Sequence, residues 1–167
     1  MSLTLPLIAE FDQECAITQR LLERVPESKF GWKPHPKSMS LGELAWHLAT
    51  APSFLVGVTR EPSFDFATAQ APPPVPKTAA AIVEAHVKGQ GKVREFLGAI
   101  SDARALETFK VTKGSKTLMN LPRIAFIRAI GLNHIYHHRG QLSVYLRLLE
   151  VPVPSIYGPS ADENPFA

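Results

Sequence analysis

Cysteine is nearly absent: the 167 residues hold one, Cys15. A lone cysteine forms no intrachain disulfide, and without a Cys-x-x-Cys pair there is neither a zinc finger nor a dithiol redox motif. Long apolar runs are missing too. None approaches the roughly 18 residues that cross a bilayer, so no membrane partner is expected. The N-terminal stretch Met1 to Asp12 has no basic residue and reaches acid at Glu10. That is unlike a secretory signal and points to a cytoplasmic protein. Lys and Arg number 18 against 15 Asp and Glu, giving a net charge of +3 and a pI of 9.1. They are scattered rather than gathered into a basic stripe, so no nucleic-acid partner is expected. A glycine-rich phosphate loop and a Ser-His-Asp signature are absent. So is His-Glu-x-x-His, since residues 134–138 lack the glutamate of that metalloprotease motif.

What remains is an ordinary globular composition, 45% hydrophobic and 20% charged, in a length that suits a single domain over 1–167. Four segments carry helical periodicity. From about Leu5 to Val25, the residues Leu7, Phe11, Cys15, Thr18, Leu22 and Val25 recur at threes and fours on one face, and Pro26 stops the helix. A loop with Trp32, Pro34 and Pro36 follows; Trp32 and Trp46 are expected to pack it. Ser40-Leu41-Gly42-Glu43 has the form of a capping box. The second helix then runs to about Thr59, with Leu44, His47, Ala51, Phe54 and Val58 inside. Pro52 cannot donate to the carbonyl of Leu48, so a kink is expected near His47.

Glu61 to Lys77 reads as a linker ending in the proline run Ala71 to Pro76. Thr78 caps a third helix to about Ile100, whose inner face is Ile82, His86, Gln90, Val93, Leu97 and Ile100. Residues Thr108 to Met119 read as a short β-hairpin turning at Gly114. The last helix starts near Pro122 and runs to about Glu150. Its stripe is Ile124, Ile127, Gly131, His134, His138, Leu142, Tyr145 and Leu149. The tail, Val151 to Ala167, holds four prolines and is expected to be extended. The fold class expected is all-α: a four-helix bundle with a small β-hairpin insertion before the last helix and a Pro-rich C-terminal tail. The long linkers after helices two and three leave its topology open.

Three of the six histidines fall in Asn133-His134-Ile135-Tyr136-His137-His138-Arg139-Gly140-Gln141. On a helix His134 and His138 share a face, with Cβ atoms about 5–6 Å apart. Two imidazoles so placed can converge on one ion at about 2.0–2.1 Å. His47 faces inward from the second helix. A lone inward histidine is usually a hydrogen-bonded core residue. Three on two inner stripes are hard to satisfy that way, and neutral imidazole is the commonest metal ligand. The expected site is therefore a divalent metal ion on His47, His134 and His138, with one or more positions open.

The neighbouring residues carry weaker signals. His137 projects about 80° off the stripe and reads as a flank. His86 and Gln90 could complete the ligand set, support it or touch substrate; a partly buried polar shoulder is the simpler reading. Cys15 reads as core. Arg128 and Arg139 share one flank of the last helix and read as solvated. Tyr145 and His86 are candidate general bases, with neither assignable. Ile130, Ile135, Leu146 and Leu148 lie off the central stripe, and that surplus apolar surface suggests a homodimer.

Two stretches, Trp32 to Ala49 and Asn133 to Gln141, resemble the DinB/YfiT-like superfamily of metal-dependent bundle proteins. The likeness runs through nearly the whole chain, and Pro154 to Ser160 resembles the endings of one subgroup. The resemblance implies a four-helix bundle of unusual connectivity, often dimeric. It implies one metal-ligating histidine from the second helix and two from a His-x-x-x-His followed by Arg-Gly-Gln: here His47, His134 and His138. The implied ion is zinc, nickel or similar. Family members of known activity use a low-molecular-weight thiol for S-transfer to an electrophile, or for isomerisation. A metal-bound hydroxide would instead make the chain a hydrolase. Outside catalysis, the alternative is a metal-binding dimeric bundle protein of stress response.

Overall fold

In the computed structural model, residues 2–166 are described. The first helix, α1 (Leu5–Leu22), buries Leu7, Phe11, Cys15, Thr18 and Leu22 as the spacing predicts, and Glu14 with them. The second, α2 (Leu41–Gly57), begins at the capping box: Ser40 Oγ accepts from the Glu43 N–H at 3.2 Å, and the Glu43 carboxylate accepts from the Ser40 N–H at 2.6 Å. Pro52 lies buried inside α2, with the Thr50 and Ser53 hydroxyls donating to the carbonyls of Trp46 and Thr50 around it. Thr78 caps α3 (Ala79–Ala99) as expected. Gly89, costly for a helix interior, sits where α3 crosses α2; a Cβ there would lie 3.0 Å from Ser53 Oγ.

A short α4 (Asp102–Leu106) leads into the hairpin, β2 (Thr108–Lys113) and β3 (Lys116–Pro122). The strands pair antiparallel through a two-residue turn, and Gly114 takes φ +59° in it, a conformation that favours glycine. The linker expected over Glu61 to Lys77 contributes a third strand. This is β1 (Ser63–Asp65), parallel to β2 with Phe64 opposite Val111. Asp65 ties it to the turn by accepting from the Gly114 N–H at 2.9 Å. Phe109, Val111 and Phe126 pack with Ala51 and Leu55 in a small second core. Arg123, almost fully buried, donates to the carbonyls of Thr59, Glu61 and Arg104 and so fastens the sheet to the end of α2.

The last helix departs most from its expected form. It runs as α5 (Arg123–Phe126), a π-helical stretch (Ile127–Leu132) and α6 (Asn133–Leu148). A π-helical turn holds extra residues, so the faces before and after it fall out of register. Beyond it the buried line is Ile135, Arg139, Leu142 and Leu146, with His138 beside it. The predicted stripe through His134, Tyr145 and Leu149 is the edge of this face rather than its centre. Ile135 and Leu146 are therefore core, Ile130 packs on the second core, and only Leu148 of the four residues offered for pairing is largely exposed. The apolar surplus is used inside the chain.

Helices α1 and α2 each pack on both α3 and α6, so the first two helices in sequence stand diagonally across the bundle. The tail over 151–166 lies against the bundle. Val153 and Ser155 are buried, and ion pairs Arg20–Glu163 and Arg147–Asp162 hold its far end. No helix among the described residues is long and apolar enough to cross a membrane.

Candidate metal centre

The seam between α2 and α6 positions the histidines. On α2 the buried line is Leu41, Leu44, Ala45, Leu48, Pro52 and Leu55, which leaves His47 on its shoulder and half-buried. On α6 the π-helical stretch has turned His134 to the matching shoulder, half-buried, with His138 one turn on and buried. The two shoulders meet. His47 Nε2 lies 2.7 Å from His134 Nε2. Ring centroids are 4.8 Å apart for His47 and His134, 4.5 Å for His47 and His138, and 4.4 Å for His134 and His138. One nitrogen from each ring lies within 4.8 Å of the other two.

This donor set fits a divalent ion. Nitrogens sharing one tetrahedral ion stand about 3.3 Å apart, which lies within the range that the three rings span. The close His47–His134 contact is an N–H···N bond, and it requires one ring to donate. Burial pushes all three imidazoles below their ordinary pKa. For His134 burial, then the neighbouring His138, His47 and His137, bring it down to about 4. The rings are thus neutral near pH 7, as ligation requires. His138 Nδ1 lies 2.7 Å from Gln141 Oε1; donating there leaves Nε2 bare for an ion. Among the described residues no fourth histidine, cysteine or carboxylate joins the group.

The other sequence candidates lie elsewhere. His86 is buried, its Nε2 3.0 Å from the carbonyl of Cys15, and serves as a hydrogen-bonded core histidine. Burial, reinforced by Asp12 and Glu14, pushes the Cys15 thiol up to about 12. Gln90 donates to Asp12 at 3.2 Å. Tyr145 donates its hydroxyl to the carbonyl of Met39 at 3.2 Å and meets Trp32 edge-on, which pins the loop ahead of α2. His137 is exposed on the flank, its ring 4.7 Å from that of His138.

One expectation is corrected and another is extended. Arg139 is not solvated but buried against Glu14, whereas Arg128 is partly exposed and pairs with Glu10 at 3.0 Å. Trp46 also reaches beyond the loop before α2: its Nε1 donates to the carbonyl of Pro73 at 2.9 Å. That bond draws the proline run alongside α2, where an open cleft of about 620 Å³ beside His47 is lined by Lys37 to Met39, the α2 residues Glu43, Trp46 and Thr50, and Pro72 to Val75. A linker sequence gives no sign of such a wall.

Residues 10–142 match the sequence profile of the DinB superfamily. Over 160 residues the chain is 24% identical to Uncharacterized protein YrdA of Bacillus subtilis strain 168, covering 93% of this chain and 89% of that protein. Two solved structures share the fold. A DinB-like protein from Bacillus cereus ATCC 10987 superposes with a TM-score of 0.69 at 23% identity, over 89% of this chain and 94% of that one. The DinB-like protein YjoA from Bacillus subtilis gives 0.66 at 18% identity, over 87% and 92%.

Proposed function

The chain belongs to the DinB superfamily, and from that premise we propose that it is a divalent-metal-dependent enzyme that transfers a low-molecular-weight thiol to an electrophile. The observation that carries the reading is the three-histidine group, whose His47 lines a cleft, with no fourth histidine, cysteine or carboxylate among the described residues. Structural zinc sites are usually closed by four protein ligands, whereas catalytic ones keep a position open. Of the two groups that could have closed this one, His86 is bonded to the backbone carbonyl of Cys15, and the Cys15 thiol is buried in the bundle core, outside the histidine group.

A divalent ion held there would supply Lewis acidity, lowering the pKa of a thiol or water at the open position. The chain's own part is to hold and orient. His47, His134 and His138 present neutral nitrogens, Gln141 fixes the ring of His138, and the cleft lets a substrate approach His47. No side chain beside the three rings stands out as a general base, since Tyr145 and His86 are committed elsewhere. Hydrolysis is the competing reaction on the same geometry. A homodimer, which the resemblance implies, belongs to this proposal and is checked by light scattering at micromolar concentration.

The test is metal analysis of untagged protein, followed by a screen pairing small thiols with alkylating electrophiles and, separately, esters with water. One ion per chain and thiol consumption that His138→Ala abolishes are expected. Full metal loading with neither thiol nor ester turnover would overturn the catalytic reading.

A further inference from the structure

The cleft beside His47 has features that holding a metal ion does not require. Its floor is one face of α2, where Trp46, His47 and Thr50 are neighbours on the helix. Its volume of about 620 Å³ falls within the roughly 300–1,000 Å³ usual for small-molecule sites. Met39 and the proline run make much of the wall apolar. Proline segments are stiff, and the Trp46–Pro73 bond fixes both the wall and the indole that faces the space.

The charges in the cleft are unequal. Glu43 is already partnered: its carboxylate accepts from the Ser40 N–H at 2.6 Å and lies 3.4 Å from the Lys33 ammonium. The hydrogen bond to the Ser40 backbone is the main cause holding it below the usual carboxylate range. Lys37, also lining the cleft, makes no ion pair among the described residues. One aromatic floor, one apolar wall and one unpaired cation therefore border the ring of His47.

We propose that this cleft is the substrate subsite and that it selects a small molecule with a planar apolar body and a carboxylate. The carboxylate pairs with Lys37, the body lies against Trp46 and the proline wall, and the opposite end reaches His47. Which end reacts rests on the metal reading above; the selectivity of the cleft does not.

The probes are 2-naphthoate and its neutral counterpart 2-naphthamide, titrated calorimetrically into chelator-treated protein and again into zinc-loaded protein. Naphthoate is expected to bind more tightly than naphthamide in both. Lys37→Gln should weaken naphthoate about fivefold, the scale of one exposed ion pair, and leave naphthamide unchanged. Lys37→Glu should weaken naphthoate further, and Trp46→Ala should weaken both. Lys37 is exposed, so its variants fold, which thermal melting checks. Equal binding of the two probes, an unchanged naphthoate affinity in Lys37→Gln, or no binding below millimolar would overturn the proposal. Because the metal-free titration reads the cleft alone and metal analysis reads the three histidines alone, failure of one is distinct from failure of the other.

Discussion

The guanidinium of Arg139 lies 2.5 Å from the carboxylate of Glu14, with both side chains almost wholly removed from solvent. Tyr157 from the tail donates its hydroxyl to the same carboxylate at 2.6 Å, and Arg139 also reaches the carbonyl of Glu14 at 3.1 Å. Successive residues on a helix point about 100° apart. Arg139 thus fastens α6 to α1 while His138, one residue earlier, turns toward α2. The pair sets the rotation of the helix that carries two of the three histidines.

Removing one partner of a buried pair leaves the other charge unpaired and costs about 3–5 kcal/mol. Arg139→Met should lose stability on that scale in urea unfolding. Adding Glu14→Leu should recover much of it, since a well-packed apolar pair can match a buried ion pair. A single-variant loss under about 1 kcal/mol would mean that the pair behaves as a surface one and does not hold α6.

Metal ligation separates the three histidines at the seam from His137 on the flank. Single alanine variants at His47, His134 and His138 should each lose stoichiometric zinc after dialysis, because every one removes a nitrogen from the group. His137→Ala should keep it, as that ring is exposed on the flank. Atomic emission on folded, untagged protein decides the matter. Zinc retained by His138→Ala but lost by His137→Ala would reverse the assignment.

Lowered imidazole pKa values also make the metal-free fold sensitive to acid. The folded state holds His47, His134 and His138 below the ordinary value, His134 near 4, while the unfolded chain titrates near ~6.5. Below ~6.5 the unfolded state binds more protons, so the stability these groups contribute is full above that pH. It falls through the window down to about 4 and then levels off. Urea midpoints of chelator-treated protein should drop between pH 7.5 and 5, and His134→Gln should drop less. A midpoint that rises on acidification would show that the rings are stabilised in their charged form.

Much of this arrangement is written locally. The capping box at Ser40 and Glu43, the glycine turn at Gly114 and the four-residue spacing of His134 and His138 each depend on residues close in sequence. The burial of Arg139 depends on Glu14, 125 residues away. The one local clue is an acid amid the buried face of Phe11, Cys15 and Thr18 on α1. The π-helical stretch over Ile127–Leu132 has no proline, and its single glycine, Gly131, does not by itself specify a π turn, so extrapolating one helical stripe across it displaces the core by a residue. Strand β1 is three residues long and takes its geometry from β2, and the Trp46–Pro73 bond joins a helix to what reads as a linker.

Gln141 provides the sharpest test of how the site is tuned. Its Oε1 lies 2.7 Å from His138 Nδ1, and it stands exposed on α6, outside the core. Losing an outer partner of a ligating histidine typically weakens metal about 10–100-fold by freeing the ring and its tautomer. Gln141→Leu should therefore keep its melting temperature without metal and still bind one ion at saturation, but with zinc affinity reduced on that scale in a chelator competition. Gln141→Glu, which keeps an acceptor at the same reach, should restore or strengthen binding. If the leucine variant binds zinc as tightly as the parent, the contact to Nδ1 does not orient His138, and the bare Nε2 owes its direction to packing on α2 alone.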